Sequence, residues 1–245
     1  DTTPPTMAIT SSTVSDGDAS NDSTIAMTFT SSKATTNFVV GDISVSGGAL
    51  SSFAASSSTV YTATFTPSGQ GAKTIDVAIN KYTDSSGNNN SAATQFNWTY
   101  DTANPALSSS TPADNATGVG VNANIVLTFS EVVDVESGNV TIKKTSDNST
   151  IETIAVGSSK VSGTGTNTIT INPAATLAVG IEYYVLIDTT AFDDPSGNSY
   201  PGISSTTALS FTTVADSTDP TLSSSSPVNG ARNVGVNPNI ILNFS

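Results

Sequence analysis

The chain is 245 residues long, sets 7 Lys and Arg against 20 Asp and Glu for a net charge of −13, and gives 39 positions each to Ser and Thr. With no Cys and no His, disulfides, a thiol nucleophile, a Ser-His-Asp triad and a Cys/His zinc site are all excluded. The acidic balance, without a basic run, argues against nucleic acid as a partner, and no apolar stretch approaches the roughly 18 residues of a membrane helix, so membrane insertion is not expected.

Residues 1–5, DTTPP, set an aspartate and two prolines ahead of a short strand-like run near 6–11. A polar loop, SDGDASND, leads into TIAMTFT, where Ile25, Met27 and Phe29 share one face and Thr24, Ala26, Thr28 and Thr30 the other. That period of two predicts a half-buried strand. A run near 36–46 follows, then the same alternation at Tyr61, Ala63 and Phe65, at Ile75, Val77 and Ile79, and at Phe96, Trp98 and Tyr100. Gln95, Asn97 and Thr99 supply the polar face of the last strand, so its aromatics are expected in a core, not on a sugar-binding platform.

DTANP at 101–105 restarts the pattern. Runs near 106–111, 139–143 and 150–156 join alternations at Ile125, Leu127 and Phe129, at Ile169 and Ile171, at Tyr183, Val185 and Ile187, and at Leu209 and Phe211. Helical periodicity is confined to one expected turn at 173–177. Glu131, Asp134 and Glu136 in SEVVDVESG read as a solvated loop face, and Lys143 and Lys144 as edge-strand lysines that discourage sheet association. About seven strands in each stretch of some 100 residues predict an all-β chain of tandem β-sandwiches with antiparallel strands, arranged end to end.

Setting residues 106–130 over 221–245, an offset of 115, gives 15 identities in 25 positions. DSTDP at 216–220 likewise repeats DTANP. The expected organisation is module one at 1–100, module two at 101–215, and the first strands of an incomplete third module at 216–245, with Ile240, Leu242 and Phe244 alternating as Ile125, Leu127 and Phe129 do. Proline in each short linker fixes φ and makes the joints semi-rigid, which predicts modules in line.

Module two, with TPADNATGVGVNANIVLTFS, then Leu177, Gly180, Tyr183 and Val185 in a Leu-x-x-Gly-x-x-Tyr-x-Val pattern, then DPSGN and LSFTT, resembles the Ig-like repeats of bacterial surface-layer proteins. Module one, with FVVGDISVSGGALSSF, VYTATFTP, TDSSGN and a closing WTYD, is similar to the Ig-like repeats of large bacterial adhesins. The resemblance implies Ig-like sandwiches and an extracellular role on a bacterial surface, as stalk, adhesin, S-layer or filament. Its partners would be further copies of the repeat. A carbohydrate- or host-surface-binding module is the alternative.

No catalytic group is expected, because the acids sit in turn contexts. Calcium is the candidate ion, since hard cations need only oxygen ligands; the alternative is that these Asp, Asn and Gly residues serve as turn formers alone. In an Ig sandwich the loop after the first strand and the end of the last strand share one end of the module. The loop of module one carrying Asp16, Asp18 and Asp22 should therefore meet the linker residue Asp101 and the module-two loop carrying Asp193, Asp194 and Asn198. Converging carboxylates without Lys or Arg repel unless a cation intervenes. Asp1, Asp84 and Asn88 repeat the pattern at the opposite end of module one as a half-site.

Overall fold

The computed structural model describes residues 1–244. Module one is built from β1 (Met7–Ser11), β2 (Ala19–Ser20), β3 (Ile25–Ser31), β4 (Ile43–Ser46), β5 (Gly48–Ala55), β6 (Val60–Pro67), β7 (Gly71–Val77) and β8 (Phe96–Tyr100). They form two four-stranded sheets, β1-β3-β6-β5 and β2-β8-β7-β4. Alternation along the strands delivers Ile25, Met27, Phe29, Tyr61, Ala63 and Phe65 from one sheet to a core shared with Ile75, Val77, Phe96 and Trp98 of the other. Trp98 meets Phe65 edge-on with ring centroids 4.9 Å apart, so the last strand's aromatics are core residues. Ile79 departs from expectation: β7 ends at Val77, and Ile79 is exposed where the chain turns away through Asn80 at φ 62°. Sequence pattern does not mark β5, a largely exposed edge strand whose alternation is broken by a bulge between Ser51 and Ala54.

Module two comprises β9 (Leu107–Thr111), β10 (Ala116–Val119), β11 (Ile125–Val135), β12 (Asn139–Lys144), β13 (Thr150–Ala155), β14 (Val161–Ser162), β15 (Thr166–Ile171), β16 (Glu182–Ile187), β17 (Phe192–Asp193) and β18 (Ser210–Thr213). One sheet runs β10-β18-β16-β12-β13 and the other β14-β15-β11-β17, with β9 also paired to β11. Its core is a separate cluster drawn from Ile125 to Phe211.

In each module the opening segment changes sheets. β1 pairs antiparallel with β3, and β2 then runs parallel to β8; β9 pairs with β11, and β10 then runs parallel to β18. These parallel ladders depart from the all-antiparallel expectation. The first of them sets Ala19 and Ser20 beside Thr99 and Tyr100, next to the linker.

Two local expectations are corrected. Residues 173–177 form no helical turn: the Glu152 carboxylate accepts the N–H groups of Ala174 and Ala175, and the Leu177 N–H bonds the Val121 carbonyl. Helix among the described residues is instead the short 3-10 turn Val40–Asp42. Lys143 and Lys144 lie on β12, one strand inside the edge that β13 forms, so they are not edge guards.

Residues beyond module two form a two-stranded sheet of β19 (Leu222–Ser226) and β20 (Ile241–Phe244). Ser226, Ser225, Ser224 and Leu222 face Ile241, Leu242, Asn243 and Phe244, the register of Thr111, Ser110, Ser109 and Leu107 against Val126, Leu127, Thr128 and Phe129, shifted by 115 residues throughout. The positive-φ positions follow the same shift with their residues exchanged: Asn115 corresponds to Gly230, and Gly118 to Asn233. Only Gly and Asn adopt that region at little cost, so the connecting backbone keeps its shape while the side chains trade places.

Candidate metal centre at the module junction

The sheet change at β2 carries the loop that follows it into contact with module two. The Asn21 N–H donates to the Ser196 carbonyl at 3.1 Å, and its amide Nδ2 donates to Asn198 Oδ1 at 3.1 Å. Asp101 is held from both sides: its N–H donates to the Ser20 carbonyl at 3.1 Å, and its carbonyl accepts Asn198 Nδ2 at 3.0 Å.

The loop from Asp194 to Asn198 is fixed by its own aspartate. Asp194 Oδ1 accepts the N–H groups of Ser196 and Asn198, each at 2.8 Å, and Oδ2 accepts Asn198 Nδ2 at 2.9 Å. Gly197 at φ 87° closes the turn. Both Asp194 and Asn198 are buried.

Beside this loop, β11 extends past Phe129 and brings up Glu131. Carboxylate oxygens of Asp101, Glu131 and Asp194 lie within 4.8 Å of one another, along a cleft of about 300 Å³ that Ala19 and Thr99 of module one help to line. Burial pushes the Glu131 carboxyl up from its ordinary range, and the Asp194 and Asp101 charges push it further. The donor set is hard oxygen throughout, which suits a calcium ion and not a soft metal.

Of the expected ligands, Asp101 and Asp194 belong to this group, with Asn198 bonded at its edge. The carboxylates of Asp16 and Asp22 are engaged elsewhere. Asp16 Oδ1 accepts the Asn97 N–H at 2.7 Å, and Asp22 Oδ2 accepts the Ser20 hydroxyl at 2.7 Å. Asp18 stays on the exposed loop, its carbonyl accepting the Thr99 N–H at 2.9 Å. Asp193 lies on β17 opposite Asp134 and has one buried oxygen without a partner among the described residues. Glu131 lies on a strand, not in a solvated loop, and joins the site in place of the three aspartates of module one.

The equivalent place in module one is built alike and filled differently. Asp84 Oδ1 accepts the N–H groups of Ser86 and Asn88, each at 2.9 Å, Oδ2 accepts Asn88 Nδ2 at 3.0 Å, and Asn88 Nδ2 also bonds the Asp1 carbonyl at 3.0 Å. Here the Lys33 ammonium reaches Asp1 Oδ2 at 2.7 Å, Asp84 Oδ2 at 3.4 Å and the Thr3 carbonyl. The Asn88 side chain, backbone N–H groups and Lys33 together outweigh burial and hold Asp84 down at about 2. A tethered cation thus already neutralises Asp1 and Asp84, and Asn88 is taken up by its bonds to them, so the expected half-site has no need of a metal ion.

Lys33 and Glu131 occupy the same position. The Thr6 N–H donates to the Ser32 hydroxyl at 2.9 Å and the Ala106 N–H to the Ser130 hydroxyl at 3.0 Å. Each serine N–H returns a bond to the carbonyl of Thr6 or Ala106, and the next residue is Lys33 in one module and Glu131 in the other.

Two sandwiches whose opening strands change sheets and whose Asp-x-x-Gly-Asn loops stand at the corresponding end of each define a tandem pair of immunoglobulin-like modules. Residues 1–100 and residues 101–213 each match a family model described as bacterial Ig-like domain, and the chain belongs to the bacterial Ig-like domains. Similar solved structures include the Yersinia pseudotuberculosis adhesin InvE, at 17% identity over 89% of this chain and 66% of that one, with a TM-score of 0.32. Yersinia pseudotuberculosis InvD is similar at 16% identity over 88% and 60%, TM-score 0.38. The N-terminal part of the bacterial S-layer protein SbsC is similar at 13% over 73% and 43%, TM-score 0.28. The chain thus spans between 43% and 66% of the length of these structures. No curated protein matches it.

Proposed function

We propose that this chain is a structural segment of an extracellular bacterial surface protein, its first two modules locked at their joint by calcium bound to Asp101, Glu131 and Asp194. The tandem family matches and the hydroxyl-rich, low-charge surface support a spacer or adhesive stalk. The observation that carries the calcium reading is the exchange of Lys33 for Glu131. One scaffold, repeated, places an ammonium between two carboxylates in module one and a third carboxylate in module two. Such a cluster needs a mobile cation where the tethered one is lost. The position of Asp101 between the modules makes binding there a brace on the joint.

The carbohydrate-binding alternative gains no support from the last strand of module one, since Phe96 and Trp98 are buried. Isothermal titration with calcium tests the reading. One site per chain is expected, lost in Glu131→Gln, while calcium binding that persists unchanged in that variant overturns the assignment.

A further inference from the structure

The linker after β8 is held by more than the contacts around Asp101. β7 and β8 pair antiparallel with Gly71 opposite Tyr100, so their ladder ends one residue before the linker. Past that end the Gln70 side chain takes over. Its Oε1 accepts the Thr102 N–H at 3.0 Å, and its Nε2 donates to the Thr102 hydroxyl at 3.0 Å. On the opposite edge the Asp101 N–H bonds the Ser20 carbonyl at the end of β2. Successive N–H groups of a strand point to opposite neighbours, and Asp101 and Thr102 keep that alternation. By hydrogen bonding they continue β8 for two residues, with Gln70 standing in for the missing end of β7.

Gln70 is exposed and lies in the turn between β6 and β7, flanked by Gly69 at φ 66° and Gly71 at φ 92°, so its placement needs a separate anchor. Lys73 supplies one. Its side chain is buried, its Nζ donates to the carbonyls of Ser68 and Gln70 at 3.3 Å each, and it stands 5.9 Å from the centre of the Tyr100 ring. No acid lies in ion-pair reach of it among the described residues. A buried ammonium whose partners are two carbonyls of one turn and the ring just ahead of the linker ties that turn to the end of β8. Gly47 leaves it room, since a Cβ there would lie 2.7 Å from Lys73 Cδ. Beyond Thr102, residues 103–105 make no hydrogen bond to either module among the described residues, the Ala103 N–H being turned back to Asp101 Oδ1 at 2.9 Å. Module two takes hold at Ala106, through Ser130.

We infer that Gln70 is a metal-free clasp on the linker, positioned by Lys73, which makes Asp101 and Thr102 move with module one and confines bending of the joint to residues 103–105. The clasp uses none of the three carboxylates at the joint and works without an ion.

The test is made on the full chain in chelator, which separates its outcome from calcium binding. Amide exchange at Thr102 is read by NMR. Because the chain has no native cysteine, spin labels at Ser44→Cys and Thr153→Cys, both exposed strand positions, report the distance between the modules. Gln70→Ala should speed exchange at Thr102 by about 5-fold or more, as expected for loss of one hydrogen bond, and should widen the distance distribution. Gln70→Glu should restore both, because its carboxylate can accept from the Thr102 N–H and hydroxyl alike. Lys73→Met should speed Thr102 exchange while the amides of β7 stay protected, which a general loss of packing would not allow. Unchanged Thr102 exchange or an unchanged distance distribution in Gln70→Ala overturns the clasp, whether or not Lys73→Met folds. A folded Lys73→Met with native exchange at Thr102 overturns the part assigned to Lys73.

Discussion

Replacing Glu131 by lysine should convert the junction from calcium-dependent to self-sufficient, because Lys33 already performs that role at the equivalent place in module one. With carboxylate oxygens up to 4.8 Å apart, each pair of charges repels by about 3.5 kcal/mol at an effective dielectric of 20 and about 1 kcal/mol in bulk water. Glu131→Lys turns two repulsive pairs, with Asp101 and Asp194, into attractive ones. Screening at a partly exposed cleft brings the net gain to about 2 kcal/mol without calcium, a rise of roughly 8 °C in the melting midpoint for a module of this size. Calcium at 100 times its dissociation constant should add about 2.7 kcal/mol to the native chain and little to the variant. Differential scanning calorimetry in chelator and in excess calcium reads both effects. If Glu131→Lys melts no higher than the native chain in chelator, or if calcium raises both alike, the three carboxylates are not a cation site.

The converse change, Lys33→Glu, should destabilise module one by about 1–3 kcal/mol through loss of its contacts to Asp1 and the buried Asp84, and calcium should restore part of the loss in thermal melts. Acidification should act oppositely on the two modules. Because the Glu131 carboxyl is raised in the fold, the native state holds its proton more tightly than the unfolded chain, so in chelator module two gains stability as pH falls from neutrality through that raised value. Asp84, held at about 2, contributes stability above the ordinary aspartate range that is lost as pH falls toward 2, and urea unfolding followed by tryptophan fluorescence of Trp98 should report that loss. Trp98 is fully packed but its Nε1 is buried without a hydrogen-bond partner among the described residues; Trp98→Ala should cost about 3–5 kcal/mol in urea unfolding and Trp98→Phe less than about 1.5 kcal/mol, since it also removes the unsatisfied donor. Small-angle scattering should give a radius of gyration well above the roughly 18 Å of a compact chain of this length; a value near 18 Å would refute an in-line arrangement.

Most of the sandwich architecture is legible in the alternation of Ile25, Met27 and Phe29 and its later counterparts, because a strand buried on one face writes its period into the sequence. β5 is not legible, since its half-buried residues Leu50 and Phe53 stand three apart across the bulge and so keep no period of two. The meeting of the module-one loop with the loop at Asp194 follows from sandwich topology, and with it Asp101 and Asp194, but Glu131 does not. Matching Phe29 to Phe129 places Glu131 over Ser31, whereas the structure pairs Met7 with Ser31 and Leu107 with Phe129, a slip of two residues in the partner of the opening strand. That slip aligns Glu131 with Lys33. Side-chain identity gave no sign of it, because register is settled by the partner strand and not by the strand itself. For the same reason Asn21 was hidden: its role depends on the sheet change at β2, and a two-residue strand carries no periodicity.

The grip on Asp101 sets how such an array would behave under tension. Module one holds this residue by its N–H and module two by its carbonyl, while Asn21 bonds Ser196 and Asn198 alongside. A sideways load on the joint must therefore break several bonds together before the angle between neighbours can change, and a bound ion would add to that threshold. Repeated along a longer array, joints of this kind would raise its bending stiffness, so that its span would grow nearly in proportion to module number, not as the square root expected of freely jointed beads.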